Sequence, residues 1–291
     1  MEWVILSLIS AFLLATSDAL AKKAVENENE YLVAWFRMLF TLPVLVITLL
    51  LVPWPELDAD FYRAFFIALP FELITIIFYI KALKHSPLSL TMPFLALTPV
   101  FLIAVSYILL GEKVSIVGGC GIFLIAAGSY LLNVDGLRKG LLEPFRAIWR
   151  ERGPLFMIGV AMFYSITSSM GKMAIEHSSP LFFAASYFIV LNILFVPIAL
   201  FMGRGDLKTF MQKKTYQRLF APGICYALMV ITHMSAMKLT KVAYMISIKR
   251  TSLLMAVLYG YFLFREENIR SRFIGALLMF AGFVLVVTTG Q

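Results

Sequence analysis

Long apolar runs alternate with short polar connections along the whole chain. Ten such runs lie near 3–25, 30–52, 61–83, 87–110, 114–134, 154–177, 180–202, 216–238, 242–264 and 270–289. Each holds roughly 20 residues, the length an α-helix needs to cross the hydrocarbon of a bilayer. The runs are continuously apolar and show no period-two alternation, so they predict helices rather than barrel strands. The fold class expected is an all-α integral membrane protein with ten transmembrane helices. Connections are short except for 135–153 (DGLRKGLLEPFRAIWRERG), which is basic and interrupted by Gly and Pro, and reads as a linker. The first run starts at Trp3 with no basic segment before it and no small-residue cleavage site, so it reads as a retained span.

The two halves repeat. A shift of 154 residues places Lys84 on Lys238, Glu112 on Glu266, Gly121 on Gly275 and Gly128 on Gly282. A shift of 150 places Ser17 on Thr167, Lys22 on Lys172 and Glu26 on Glu176. Leu and Ala matches weigh little among apolar helices, whereas coincident Lys, Glu and Gly weigh a great deal. Each repeat holds five spans, an odd number, so the halves are expected to be inverted relative to each other across the bilayer.

Composition agrees with this reading. Of 291 residues 61% are apolar and 14% charged, with a mean hydropathy of +0.88. A disordered chain is excluded, and a soluble domain would carry about a quarter charged residues. The net charge of +8 would point to nucleic acid on a soluble domain. Here it reads as basic loops that set orientation, and no nucleic-acid partner is expected. With charges at the span ends counted in the adjoining loops, fifteen of the 25 Lys+Arg fall in odd-numbered loops and four in even-numbered ones, which predicts odd loops in the cytoplasm and both termini outside. Cys120 and Cys225 lie inside apolar runs and read as buried thiols, with neither disulfide nor metal implied.

LLGEKVSIVGGCGIFLIAAGSYLL (109–132) and LFREENIRSRFIGALLMFAGFVLV (263–286) each carry a Glu turn after one span and a glycine-bearing span ending in Ala-Gly. In these segments the chain resembles the drug/metabolite transporter superfamily in its EamA-type ten-helix form. The resemblance implies an EamA-like five-helix repeat at 1–134, the basic linker at 135–153 and a second EamA-like repeat at 154–291. It also implies a central cavity between the halves and alternating access, with metabolites of many classes as substrates.

Charged side chains at mid-bilayer cost a few kcal/mol on insertion scales, so each asks for a partner or a function. Lys249 and Arg250 lie eight or nine residues into the ninth span, too deep for easy snorkelling. Arg offers a rigid fork for a carboxylate or phosphate, and Lys a mobile point charge. The pair is similar to the ninth-helix Lys-Arg pair that plastid phosphate translocators place at the substrate phosphate. Those proteins complete the clamp with a fourth-helix lysine, which LSLTMPFLALTPVFLIAVSYIL lacks, so a carboxylate or smaller anion suits this chain as well. The competing reading is an internal salt bridge with Glu72, the one carboxylate found in mid-span.

Glu72 is a candidate for a coupling proton, for a substrate amine, or for pairing with the cations. Asp18 and Lys22, four apart on one face, read as a mutual pair, and with Lys172 they lie toward span ends, where gating competes with snorkelling. Arg37 reads as structural. Tyr79, His233 and Ser247 complete the candidate binding set, His233 standing in span eight where Tyr79 stands in span three. HExxH, CxxC, GxSxG and Walker-type loops are absent, and three scattered histidines make no acid/base set, so an enzyme is not expected.

The function read from the sequence is therefore a secondary transporter in the plasma membrane of a prokaryote. It would move a small organic anion or zwitterion held by Lys249 and Arg250, with a proton as candidate coupling ion. The alternative is an exporter of amines or amphiphilic cations with Glu72 as its site; a membrane-embedded enzyme is the alternative of another class. The expected partners are a small-molecule solute and the lipid bilayer, without cofactor or metal, in a monomer or weak homodimer.

Overall fold

The structure is a computed structural model that describes residues 1–24, 28–86, 94–133, 150–264 and 269–290. Every regular element among the described residues is helical. Seven helices are long and apolar enough to cross a membrane, and three shorter apolar ones, Thr98–Leu110, Ile116–Leu132 and Ile274–Thr289, lie within the expected fourth, fifth and tenth runs.

The first half comprises α1 (Glu2–Ala24), α2 (Glu30–Leu39), α3 (Leu42–Leu51), α4 (Ala59–His85), α5 (Thr98–Leu110) and α6 (Ile116–Asn133). The second comprises α7 (Arg152–Glu176), α8 (Pro180–Gly203), the short α9 (Leu207–Gln212), a 3-10 turn at Thr215–Leu219, α10 (Phe220–Leu239), α11 (Val242–Lys249), α12 (Ser252–Phe264) and α13 (Ile269–Thr289). Helix starts follow local chemistry. The Asn29 side chain accepts from the Tyr31 and Leu32 amides, Asp58 from Phe61, and Ser179 from Phe182, each satisfying donors that have no partner within the helix. Gly111 ends α5 with φ +69°, a left-handed conformation that glycine adopts without a Cβ clash.

Two runs read from the sequence as single helices are each broken. The second stops at Leu39 because Pro43, at the start of α3, has no N–H for the Leu39 carbonyl and crowds it. The Thr41 hydroxyl donates to the Met38 carbonyl there, at 2.6 Å. The ninth run breaks at Arg250-Thr251 without any proline. Tight bonds three residues apart carry the chain through it, from Thr251 N to Ile248 O, Leu253 N to Arg250 O and Leu254 N to Thr251 O. In the first half the turn Ala96-Leu97 stands 154 residues before this break, directly ahead of α5.

Packing follows small residues. α6 and α13 cross so closely that a Cβ on Gly128 would stand 2.5 Å from the Gly275 carbonyl oxygen, and one on Gly282 would stand 2.5 Å from that of Gly121. Gly121 meets Gly282 while Gly128 meets Gly275, so the two helices run antiparallel. Close backbone approach supplies the packing that lipid cannot drive hydrophobically. Elsewhere α4 packs on α7 and α1 on α10, and α8 packs on both α2 and α3. Both cysteines are free, but Cys120 faces outward rather than into the core, because it lies on α6 away from the glycine seam.

Candidate solute-binding cavity

A cavity of about 650 Å³ lies between the halves. Lys249 and Arg250, at the end of α11 and in the break that follows it, both line this cavity. Lys249 Nζ lies 3.2 Å from His233 Nδ1 on α10. Arg250 Nε is buried without a hydrogen-bond partner, as is the Tyr187 hydroxyl on α8, and both residues line the cavity. Buried polar atoms are nearly always satisfied, so an orphaned donor on a cavity wall points to a group that binds there.

Glu72 faces the cavity from α4, within electrostatic reach of Lys249 and beside Thr167 of α7. Pro70 lies two residues before it and cannot donate to the carbonyl four residues back, which loosens α4 at this level. Tyr79 is two turns further along α4 and also lines the cavity. Toward the start of α2, Glu28 and Glu30 join the wall, with Asp18 and Arg37 between them and the Lys-Arg turn.

Several expectations change. Asp18 pairs with Arg37, at 2.6 Å, where a partnership with Lys22 was expected; the Lys22 side chain lies outside the described residues. Arg37, read as structural, lines the cavity with its guanidinium 4.5 Å above the Tyr226 ring. Lys172 does not snorkel. It is 5% exposed and donates to the carbonyls of Met237, Lys238 and Thr240 at the end of α10, with Glu176 at 3.3 Å. Those carbonyls have no partner within their own helix, which is what draws an ammonium inward. Ser247 is fully buried and donates back to the Ala243 carbonyl, so it does not line the cavity, its hydroxyl being satisfied within its own helix.

The charge balance also differs from the expectation of one carboxylate against two cations. Arg37, Lys249 and Arg250 face Asp18, Glu28, Glu30 and Glu72 across the whole lining. Two of these charges are paired locally, Arg37 with Asp18 at 2.6 Å and Glu28 with Lys213 at 3.3 Å. Sequence reasoning missed Tyr164, Tyr187 and Tyr226 in the lining. The repeat was the available signal, because Tyr226 follows Glu72 by 154 residues and Tyr187 follows Arg37 by 150.

Connections at one end of the cavity are tied together. Glu112 accepts from the Val242 amide at the start of α11, Lys241 donates to the Lys113 carbonyl at 2.6 Å, and the Tyr244 hydroxyl meets Ser115 at 3.1 Å. Burial pushes the Glu112 carboxyl above its ordinary range. His177 Nδ1 lies 2.6 Å from Asp58. The Phe61 amide, followed by His177, holds the Asp58 carboxyl below the usual range. Asp58, Asp60 and His177 are the one group of metal-ligand types among the described residues, their ligand atoms within 4.8 Å of one another. Asp60 is shared with Arg63 at 3.1 Å, and Asp58 is occupied as a helix cap.

Apolar helices of bilayer length around an internal cavity define the class, an integral membrane protein. The chain belongs to the EamA-like transporter family, whose pattern matches residues 1–134 and again residues 151–288. The family comprises membrane transporters of small molecules rather than enzymes. No curated relative matches the chain. One solved structure, described only as the crystal structure of a protein, is similar over 99% of this chain and 97% of its own, with TM-score 0.75 and 16% identity. That likeness concerns the fold alone.

Proposed function

We propose that this protein is a secondary transporter of a small organic anion or zwitterion, whose acidic group sits on Lys249 and Arg250. The observation that carries the reading is Arg250 on the cavity wall at a break in the ninth run, beside Lys249, with its Nε buried and without a hydrogen-bond partner. A guanidinium holds a carboxylate in a fixed, charge-assisted geometry. Glu72, facing the cavity from α4, suits a solute amine, so a zwitterion is favoured over a dianion.

Ten spans in two inverted repeats that rock about this cavity are the architecture we propose. The antiparallel glycine seam supports it. So does the exchange of contacts, in which α4 on α7 in one half answers α10 on α1 in the other. Odd-numbered loops would face the cytoplasm of a prokaryotic cell, on the charge bias of the loops.

Uptake of labelled amino acids, carboxylates and amines by proteoliposomes tests the substrate class. Saturable uptake of carboxylate-bearing solutes, lost in Arg250→Ala, is expected. A second reading, export of amines, is favoured by the tyrosines Tyr79, Tyr164, Tyr187 and Tyr226 lining the same cavity as Glu72, since aromatic faces attract cations. Transport of amines lacking a carboxylate, insensitive to Arg250→Ala, would select it.

A further inference from the structure

His233 is 8% exposed and lines the cavity, with Nδ1 3.2 Å from the Lys249 ammonium nitrogen. Two basic nitrogens at that separation hold one proton between them. An ammonium has only donors, so a charged Lys249 requires a lone pair on Nδ1 and hence a neutral imidazole. A proton arriving at Nδ1 takes that lone pair, ends the contact and leaves the ammonium free to turn toward a solute.

We infer that His233 and Lys249 form the proton-binding site of the transporter, the proton entering at His233 together with a solute anion at Lys249 and Arg250. The inference rests on the anion reading of the Lys-Arg turn. Its physical basis is local charge. Arg250 adjoins Lys249, so a third positive charge on His233 is costly in a buried setting until an anion offsets it. Glu72 and Tyr79 on α4, Asp18 on α1, Glu28, Glu30 and Arg37 at and on α2, Tyr164 on α7, Tyr187 on α8 and Tyr226 on α10 are the other titratable or charged groups along these walls. Glu72 and Asp18 lie within electrostatic reach of Lys249 and hold it in place without supplying the second anion. Coupling of this kind is reciprocal: the anion favours the proton and the proton favours the anion. A monoanion and its proton would then cross together with no net charge moved.

The chain has only three histidines, His85, His177 and His233, so ring-¹⁵N-histidine labelling of the full-length protein gives three assignable sets of signals. Glutamate and lactate, each carrying one net negative charge, serve as probes. Saturating probe should convert the His233 ring from neutral to doubly protonated, with uptake of about one proton per probe bound in weakly buffered solution. Probe affinity should rise up to tenfold per unit fall in pH, the limit for one linked proton. His233→Gln should bind probe with a flat pH profile, and His233→Tyr, which copies Tyr79, is the second variant should Gln disturb folding. In Lys249→Met, without probe, the ring should take its proton at a higher pH than in wild type, because the neighbouring positive charge is gone while the burial of the ring is unchanged. The inference is overturned if proton uptake survives His233→Gln and disappears in Glu72→Gln, or if His233 titrates alike in wild type and Lys249→Met. Absence of any probe binding would sink the anion reading alone, since the Lys249→Met comparison still decides the dyad.

Discussion

The cavity faces of α4 and α10 lie 154 residues apart in the repeat and differ in a telling way. Ile76 and Ile80 are answered by Val230 and Met234, so the apolar positions stay apolar. Glu72 is answered by Tyr226 and Tyr79 by His233, so the polar positions change chemistry. The same holds on the flanking helices, where Asp18 and Arg37 of the first half face Ser168 and Tyr187 of the second at a spacing of 150. A duplicated scaffold thus carries an asymmetric cavity. Packing demands are common to both copies, because each apolar face meets an equivalent neighbour. In the function proposed above the polar positions would meet the solute, and an asymmetric solute needs different groups on its two sides.

The largest effect that can break this comparison lies at the Lys-Arg turn, which replaces Leu95-Ala96 of the first half. Replacing both Lys249 and Arg250 by Ala should lower proteoliposome uptake by about a hundredfold, as two charge-assisted bonds of roughly 1.5–3 kcal/mol each are lost. Arg250→Lys should fall between, keeping the charge and losing the fork. An unchanged uptake with a lower melting temperature would make the pair structural and favour the amine reading.

The glycine seam comes next, as the region where the two halves are alike. Gly128→Leu forces side-chain atoms onto the Gly275 carbonyl and should destabilise the protein by about 1–3 kcal/mol, read as a fall in melting temperature. Gly275→Leu should match it within error. Widely different costs would mean that the seam is not symmetric.

Glu72→Gln sharpens the α4 side. Affinity for zwitterions should drop about tenfold, the scale of one lost charged contact, while simple carboxylates compete as well as before. Tyr226→Phe, at the partner position, should leave charge selectivity intact and loosen Arg37. Equal effects on all solutes would remove Glu72 from amine recognition.

The smallest effect is expected at Asp58. Its carboxyl is held below the usual range, so its contribution to stability is present above the unfolded value and fades as pH falls through the lower folded one. In Asp58→Asn that part of the acid-side pH dependence should vanish, by a small amount because the pair with His177 is exposed to screening. A melting curve across acidic pH that is identical in both proteins would show that the cap and the His177 contact contribute nothing measurable.

The sequence by itself determined that the chain is helical and membrane-embedded, and it located the glycines of the seam. Apolar runs of bilayer length can only be helices or barrel strands in lipid, and their pattern excluded strands. It also pointed to Lys249, Arg250, Glu72, Tyr79 and His233, because ionisable or polar groups inside an apolar run need a reason to be there. Tertiary structure decided the partners. Asp18 pairs with Arg37 on another helix, and Lys172 reaches the carbonyls at the end of α10; neither depends on spacing along one helix. The break at Arg250-Thr251 was equally hidden, since no proline marks it and it shows only in the bonds three residues apart that carry the chain through it. Pairings across helices are set by which faces meet, and a one-dimensional pattern gives the face without naming its neighbour.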